Sequence, residues 1–301
     1  PSTGPFGPEW AGGVGFGLSR TAAFAVVSLA STRPIEFEVV SPADSEGMFD
    51  VLTYEKGAAV VRMLEQWTGP DDFRAGIRSY LETHRYANTE TTDLWDAIEA
   101  ANPGLPVRKV MDSWIFQGGY PLVTVERTPS GVRLSQQRFS FEGGDEVTPT
   151  TWSVPVLVRA GTDEVAAPPV DDPIAPDAPA TGISGQRIER ALVEGAPVEL
   201  ELGAPAWVQA NANGSGFYRV DYDAELRSAL AARAQDVLAP IERYGLVDDT
   251  WASVLAGRTT TPEFCEFVGG FSDETDLAVW QRLLGALDAL DRLLAGAPRL
   301  R

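Results

Sequence analysis

The sequence predicts an α+β protein of more than one domain: a helical block, a small β-sandwich and a second helical array. Two changes of period predict it. Up to Gln117 apolar residues recur at helical spacing, from Tyr120 they alternate, and after Asp223 the helical spacing returns. The chain has 301 residues, of which 44% are hydrophobic, enough for packed cores in two or more domains and too many for global disorder. The boundaries read from these changes are 1–119, 120–222 and 223–301.

Residues 1–13, rich in Gly and Pro, read as a frayed end. Phe16 to Leu29 reads as a buried helix with Leu18, Ala22, Ala25 and Leu29 on one face; its apolar run is too short to span a bilayer. Arg33-Pro34 breaks it, because the residue before proline is pushed out of the helical region. Ile35 to Val40 reads as extended. A helix opening in Phe49 to Ala58 follows, with Ala58, Val61, Met63, Leu64 and Trp67 inward, and Thr68-Gly69-Pro70 ends it. Asp71 and Asp72 begin the next, with Phe73, Ile77, Tyr80 and Leu81 on one face. Thr91 or Thr92 caps a third, carrying Leu94, Trp95 and Ile98. Pro106 at a first helical position opens a fourth, with Val107, Val110, Met111 and Trp114 inward, and Gly118-Gly119 stops it.

Leu122 to Glu126 and Val132 to Phe139 read as strands around the turn Thr128-Pro129-Ser130-Gly131. Trp152–Val158, Ile188–Val193, Val198–Leu202, Trp207–Ala210 and Phe217–Tyr222 continue the pattern, which is the spacing of a small sandwich. The stretch 161–185, full of Pro, Asp and Ala, reads as a mobile loop within it. The last block places Leu226, Leu230 and Ala234 on one stripe and makes Thr261 a helix cap followed by Pro262 in the first turn. A final helix carries Leu277, Trp280, Leu284, Leu287 and Leu290 on one side. Stacked short helices of this kind suggest the start of an α-solenoid.

A formal net charge of −19 argues against nucleic-acid binding, and its spread along the chain describes an acidic, soluble surface. The single cysteine, Cys265, rules out an intrachain disulfide and reads as buried filler; it fits a reducing compartment, and the expected location is cytoplasmic. No membrane partner is expected. Asp171-Asp172 and Asp221-x-Asp223 read as solvated faces or helix caps. The glycines from Gly12 to Gly17 follow no strand, so a phosphate loop is not expected.

Tyr54 lies in the first turns of its helix, where backbone N–H groups are unpaired and a protonated phenol can aim one donor at a neighbouring site. By itself the better reading is a core tyrosine on an amphipathic helix. The string Tyr54-Glu55-Lys56-Gly57-Ala58, with Arg62-Met63-Leu64-Glu65 after it, resembles the tyrosine helix of the aminopeptidase N family, zinc metalloaminopeptidases of the gluzincin type. Four further strings agree in order: Thr89 to Trp95, Met111 to Trp114 with Gln117 to Pro121, Gly216 to Tyr222, and Tyr244 to Asp249. Ser31 to Ile35 is similar too, although His or Asn is more usual where Arg33 stands.

The resemblance implies the C-terminal helical half of a thermolysin-like catalytic domain, a β-sandwich and the first helices of a C-terminal solenoid. It implies zinc in the complete parent enzyme, peptide substrates, and Tyr54 as the group that steadies the tetrahedral intermediate. The family's His-Glu-x-x-His and Gly-x-Met-Glu-Asn segments do not occur here. His84, the sole histidine, reads as a surface or junction residue. The chain therefore reads as a fragment without zinc ligands, metal-free and inactive alone, that self-associates through faces exposed around Phe16, Trp67 and Trp114. The competing reading is a truncated, non-enzymatic peptide-binding or scaffold module.

Overall fold

Gly69, at φ 100°, ends one helix, and Pro70 at once begins the next, because proline has no N–H to leave unpaired at a helix start. The structure, a computed structural model, describes residues 20–21, 23–28, 32–37, 40–41, 50, 52–141, 150–162 and 186–295. Residues 20–21 and 23–27 are helical. Arg20, Ala23, Phe24 and Val27 are buried and Ala25 is exposed, so the face predicted through Ala25 is displaced. The local sequence is apolar all round, and periodicity cannot choose a face there. Residues 32–37 contain no strand.

Leu52–Lys56 form a single π-helical turn that runs into α1 (Gly57–Thr68). α1 buries Ala59, Val60, Met63, Leu64 and Trp67; Ala58, predicted inward, is exposed. α2 (Pro70–Thr83) buries only Gly76, against which Ile98 packs so closely that a Cβ would sit 2.7 Å from the Ile98 Cα. Leu81 is exposed rather than inward. α3 (Thr91–Ala101) is capped by Glu90, one residue before the predicted threonines, with the Glu90 N–H donating to Asp93 Oδ2 at 2.8 Å. Pro106 precedes α4 (Val107–Ile115) as its cap, and Val107, Val110, Met111 and Trp114 point inward as predicted.

Among the described residues seven strands follow in two sheets. β1 (Pro121–Thr128) and β2 (Gly131–Arg138) form an antiparallel hairpin. β3 (Val154–Gly161) pairs antiparallel with β4 (Gln186–Val193) and with β6 (Trp207–Gln209). β5 (Val198–Glu201) adds to β2, and β7 (Arg219–Tyr222) lies parallel to β1. The sheet orders are β5-β2-β1-β7 and β4-β3-β6, with β4 touching β2 and β5 across the pair. Gly161 ends β3, and the remainder of the predicted loop, 163–185, falls outside the described residues.

Helices then resume as α5 (Ala224–Ala231), α6 (Ala234–Val237), α7 (Pro240–Leu255), α8 (Thr261–Gly269) and α9 (Leu277–Leu294). Asp223 caps α5, accepting from the Leu226 N–H at 2.8 Å. Thr260, not Thr261, caps α8. α9 turns Ala278, Val279, Leu283, Ala286 and Leu290 inward. The predicted stripe is displaced: Leu277 and Leu284 are 71% and 57% exposed, whereas Leu290 is buried and Leu287 packs against the core as predicted. α9 carries two apolar stripes, and the one with smaller residues packs on α7.

Trp67 and Trp114, expected at exposed faces, are both buried, so neither supports self-association; Phe16 lies outside the described residues. Trp114 donates from Nε1 to the Ser153 carbonyl at 3.0 Å and packs tilted against Trp152 and edge-on against Phe217. The core thus runs unbroken from the helices into the sheets. Among the described residues no helix is long and apolar enough to cross a membrane.

Candidate active site

Tyr54 stands in the π turn that begins its helix. Asp50 caps this turn, its Oδ1 accepting from the Thr53 N–H at 3.0 Å and its carbonyl from the Tyr54 N–H at 3.1 Å. Tyr54 is 58% exposed, which excludes a core tyrosine. Lys56, two residues on, is fully buried. One turn therefore anchors itself inward through Lys56 and presents a phenol outward. Single π turns within helices occur often at functional sites.

The Lys56 anchor has an unusual chemistry. Its Nζ donates to the Gln117 carbonyl at 2.9 Å and to the Gly119 carbonyl at 3.1 Å. Gly119 adopts φ 86°, in the left-handed region that glycine enters freely. Among the described residues no carboxylate pairs with Lys56. Burial, with Arg138 nearby, lowers its pKa to about 7. A neutral amine has two N–H groups, and two carbonyls receive them.

Folding then releases a proton wherever unfolded Lys56 is charged and native Lys56 is not, from about pH 7 to 10.5. Stability should rise with pH in that window, because the unfolded state binds more protons. At pH 7 the cost of neutralising this amine is on the order of 4 kcal/mol. Lys56→Met should remove the slope. Urea midpoints at pH 7.5 and 9 should separate, the native chain gaining on the variant by about 1–2 kcal/mol. Parallel profiles would show that Lys56 remains charged in the fold.

A second cluster lies where the first helical segment, β7, α7 and α9 meet. Arg219 Nη1 donates to Asp248 Oδ2 at 2.8 Å and Asp249 Oδ1 at 3.0 Å. Arg219 Nε donates to the Tyr120 hydroxyl, which pairs with Ser28 Oγ at 2.7 Å. Arg282 Nε reaches Asp248 Oδ1 at 2.6 Å, and Arg20 donates to the carbonyls of Gly214 and Gly216. All but Arg282 are nearly inaccessible to water. Burial pushes the Asp248 carboxyl up, but Arg219 and Arg282 outweigh it and hold that group below the usual carboxylate range. Asp249 has no second arginine at bonding distance, and burial pushes it up to about 6 against the pull of Arg219.

The profile of the Peptidase family M1 domain matches residues 7–114, and that of the ERAP1-like C-terminal domain matches 207–301. Aminopeptidase M1-A of Oryza sativa subsp. japonica is 31% identical over 303 residues, which covers 97% of this chain and 32% of the relative. The chain belongs to the aminopeptidase N family, peptidase family M1. Tricorn protease-interacting factor F2 of Thermoplasma acidophilum is 32% identical, covering 91% of this chain and 31% of the relative. Puromycin-sensitive aminopeptidase of Caenorhabditis elegans is 31% identical, covering 90% and 27%. The chain spans about a third of the length of these relatives.

In this member of the aminopeptidase N family the strings that carried the resemblance turn out to touch one another. Lys56 of the tyrosine string holds the carbonyls of Gln117 and Gly119 in the junction string. Arg219 of the strand string holds Asp248 and Asp249 of the α7 string. Tyr120 of the junction string joins Arg219. Reading the strings singly missed these pairs. One signal for Lys56 was available: it is one of only two lysines in the chain, within a helix that buries an apolar face.

A zinc ion finds no donor set here. Among the described residues no group of three His, Cys, Asp or Glu could hold a metal. His84 ends α2 beside Tyr80, at a ring-centroid distance of 5.2 Å, as a junction residue. Cys265, expected in the core, is exposed on α8. Of the predicted acidic pair, Asp223 is a helix cap, while Asp221 is largely buried near Arg258; Asp171 and Asp172 lie outside the described residues.

Proposed function

We propose that this chain is part of an aminopeptidase that removes single residues from peptide N-termini, with Tyr54 donating its hydroxyl proton to the oxygen of the tetrahedral intermediate. The observation that carries this reading is an exposed phenol on a turn secured from both sides, by the Asp50 cap and by the buried Lys56. A fixed donor of this kind stabilises an oxygen more as it gains charge, so its effect falls on the transition state. The family of the chain and the names of its relatives support the reaction class.

The layout that goes with this reading assigns 1–119 to the helical part of a thermolysin-like catalytic domain. It assigns 120–222 to a β-sandwich and 223–301 to the first helices of a C-terminal solenoid. Zinc belongs to the complete enzyme, on ligands outside the described residues.

The 301-residue chain alone should hydrolyse no aminoacyl amide and bind no stoichiometric zinc, because its one histidine has no ligating neighbours among the described residues. Elemental analysis and a chromogenic aminoacyl-amide assay with and without chelator check this, and chelator-sensitive turnover would refute it. In the complete enzyme, loss of turnover in Tyr54→Phe tests the role given to the phenol.

A further inference from the structure

We propose that Arg33 is a positioning residue for Tyr54: it holds the Asp50 cap in place and through it sets where the phenol points. The inference rests on the reading of Tyr54 as a transition-state donor and adds a residue to that site.

The chain of contacts is short. Arg33 Nη2 lies 2.9 Å from Asp50 Oδ2 and 3.3 Å from Thr53 Oγ1. Asp50 spends its other carboxylate oxygen on the Thr53 N–H and its carbonyl on the Tyr54 N–H. One guanidinium nitrogen therefore touches both the capping residue and the first capped residue of the turn. Arg33 is itself held, with Nη1 donating to the Pro34 carbonyl at 2.9 Å and the guanidinium 4.7 Å from the centroid of Phe37. Its planar fork can make these contacts together, which a point-charge ammonium cannot.

The arrangement matters because of what lies on either side. After Tyr54 the chain is locked by the buried Lys56 and by α1. Before it, among the described residues, the turn is capped by Asp50, whose side chain is 40% exposed. Without Arg33 that carboxylate is free to swing into water, and the Thr53 amide loses its fixed acceptor, leaving the Tyr54 amide on the Asp50 carbonyl as the remaining bond of the cap. A half-exposed ion pair contributes little to global stability, so the effect should be on geometry. Displacing a catalytic group by about an ångström can lower a rate on the order of 100-fold.

The test is a double-mutant cycle in the complete enzyme carrying this chain, together with amide exchange on the chain itself. Arg33→Met should lower kcat by about 10-fold or more while KM stays within about 3-fold and the thermal midpoint is nearly unchanged. Arg33→Lys should restore part of kcat. In a Tyr54→Phe background, Arg33→Met should cost no more than about 2-fold further. In the isolated chain, Arg33→Met should speed exchange of the Thr53 amide, which bonds to the Asp50 carboxylate.

Full kcat in Arg33→Met beside a crippled Tyr54→Phe would overturn the role of Arg33 and leave Tyr54 standing. Multiplicative losses would show that Arg33 acts independently of Tyr54 and would also overturn it. Normal turnover in Tyr54→Phe would overturn both readings. Unchanged amide exchange would refute the capping step whatever Tyr54 does.

Discussion

Tyr54→Phe should lower turnover by about 10²–10³-fold in the complete enzyme, the usual loss when one oxyanion donor is removed. The substitution deletes a single oxygen from a side chain that is more than half exposed, and it keeps the ring. Asp50 and Lys56 bond to backbone groups, not to the phenol, so the turn should keep its shape. Thermal stability should therefore barely move. The Michaelis constant should stay within a few-fold, because the lost bond is strongest when the oxygen carries full negative charge. A steady-state assay paired with a thermal melt separates this from a structural effect. Near-normal turnover would remove Tyr54 from the mechanism, and a large drop in midpoint would show that the phenol supports the fold.

The order of elements was legible because each period is strong where one face is buried. The hairpin of β1 and β2 and the inward set of α4 follow directly from spacing and turn residues. The faces of residues 20–27, α1 and α9 were less legible, since each carries apolar residues on more than one side. α7 shows the limit most clearly. Every residue from Ile241 to Ser253 is buried, including Glu242, Arg243, Asp248 and Asp249. Periodicity has nothing to report when a helix has no solvent face. Its charges are accommodated by partners remote in sequence: Arg159 for Glu242, Glu274 for Arg243, and Arg219 for both aspartates. No local pattern can show such pairs. The candidate site was legible at Tyr54 through its string. The Asp50 cap, the Arg33 brace and the Lys56 anchor depend on contacts that only the fold creates.

Arg219→Met should destabilise the chain by about 3–5 kcal/mol, the range for breaking a buried pair from one side. Arg219 is 4% exposed and serves Asp248, Asp249 and Tyr120 at once, linking β7 to α7 and to the start of β1. Methionine fills much of the volume but satisfies none of the acceptors. Asp248 would keep Arg282, so the larger penalty falls on Asp249, left among the described residues with the Val220 N–H and the more distant charge of Arg20. Asp249 already sits at about 6 with Arg219 present, and losing the cation should raise it further. A carboxyl whose native pKa exceeds its unfolded value binds its proton more tightly when folded. Its cost is absent below the unfolded pKa and grows as pH rises through the native one. The deficit of Arg219→Met should therefore be largest near pH 7.5 and smaller near pH 5. Adding Asp249→Asn should recover part of it at pH 7.5 and little at pH 5, since the amide imitates the protonated acid. Urea unfolding of the single and double variants at the two pH values measures all four quantities. A deficit below about 1 kcal/mol would put Arg219 in the class of exposed ion pairs, and a deficit independent of pH would clear Asp249 of the penalty assigned to it.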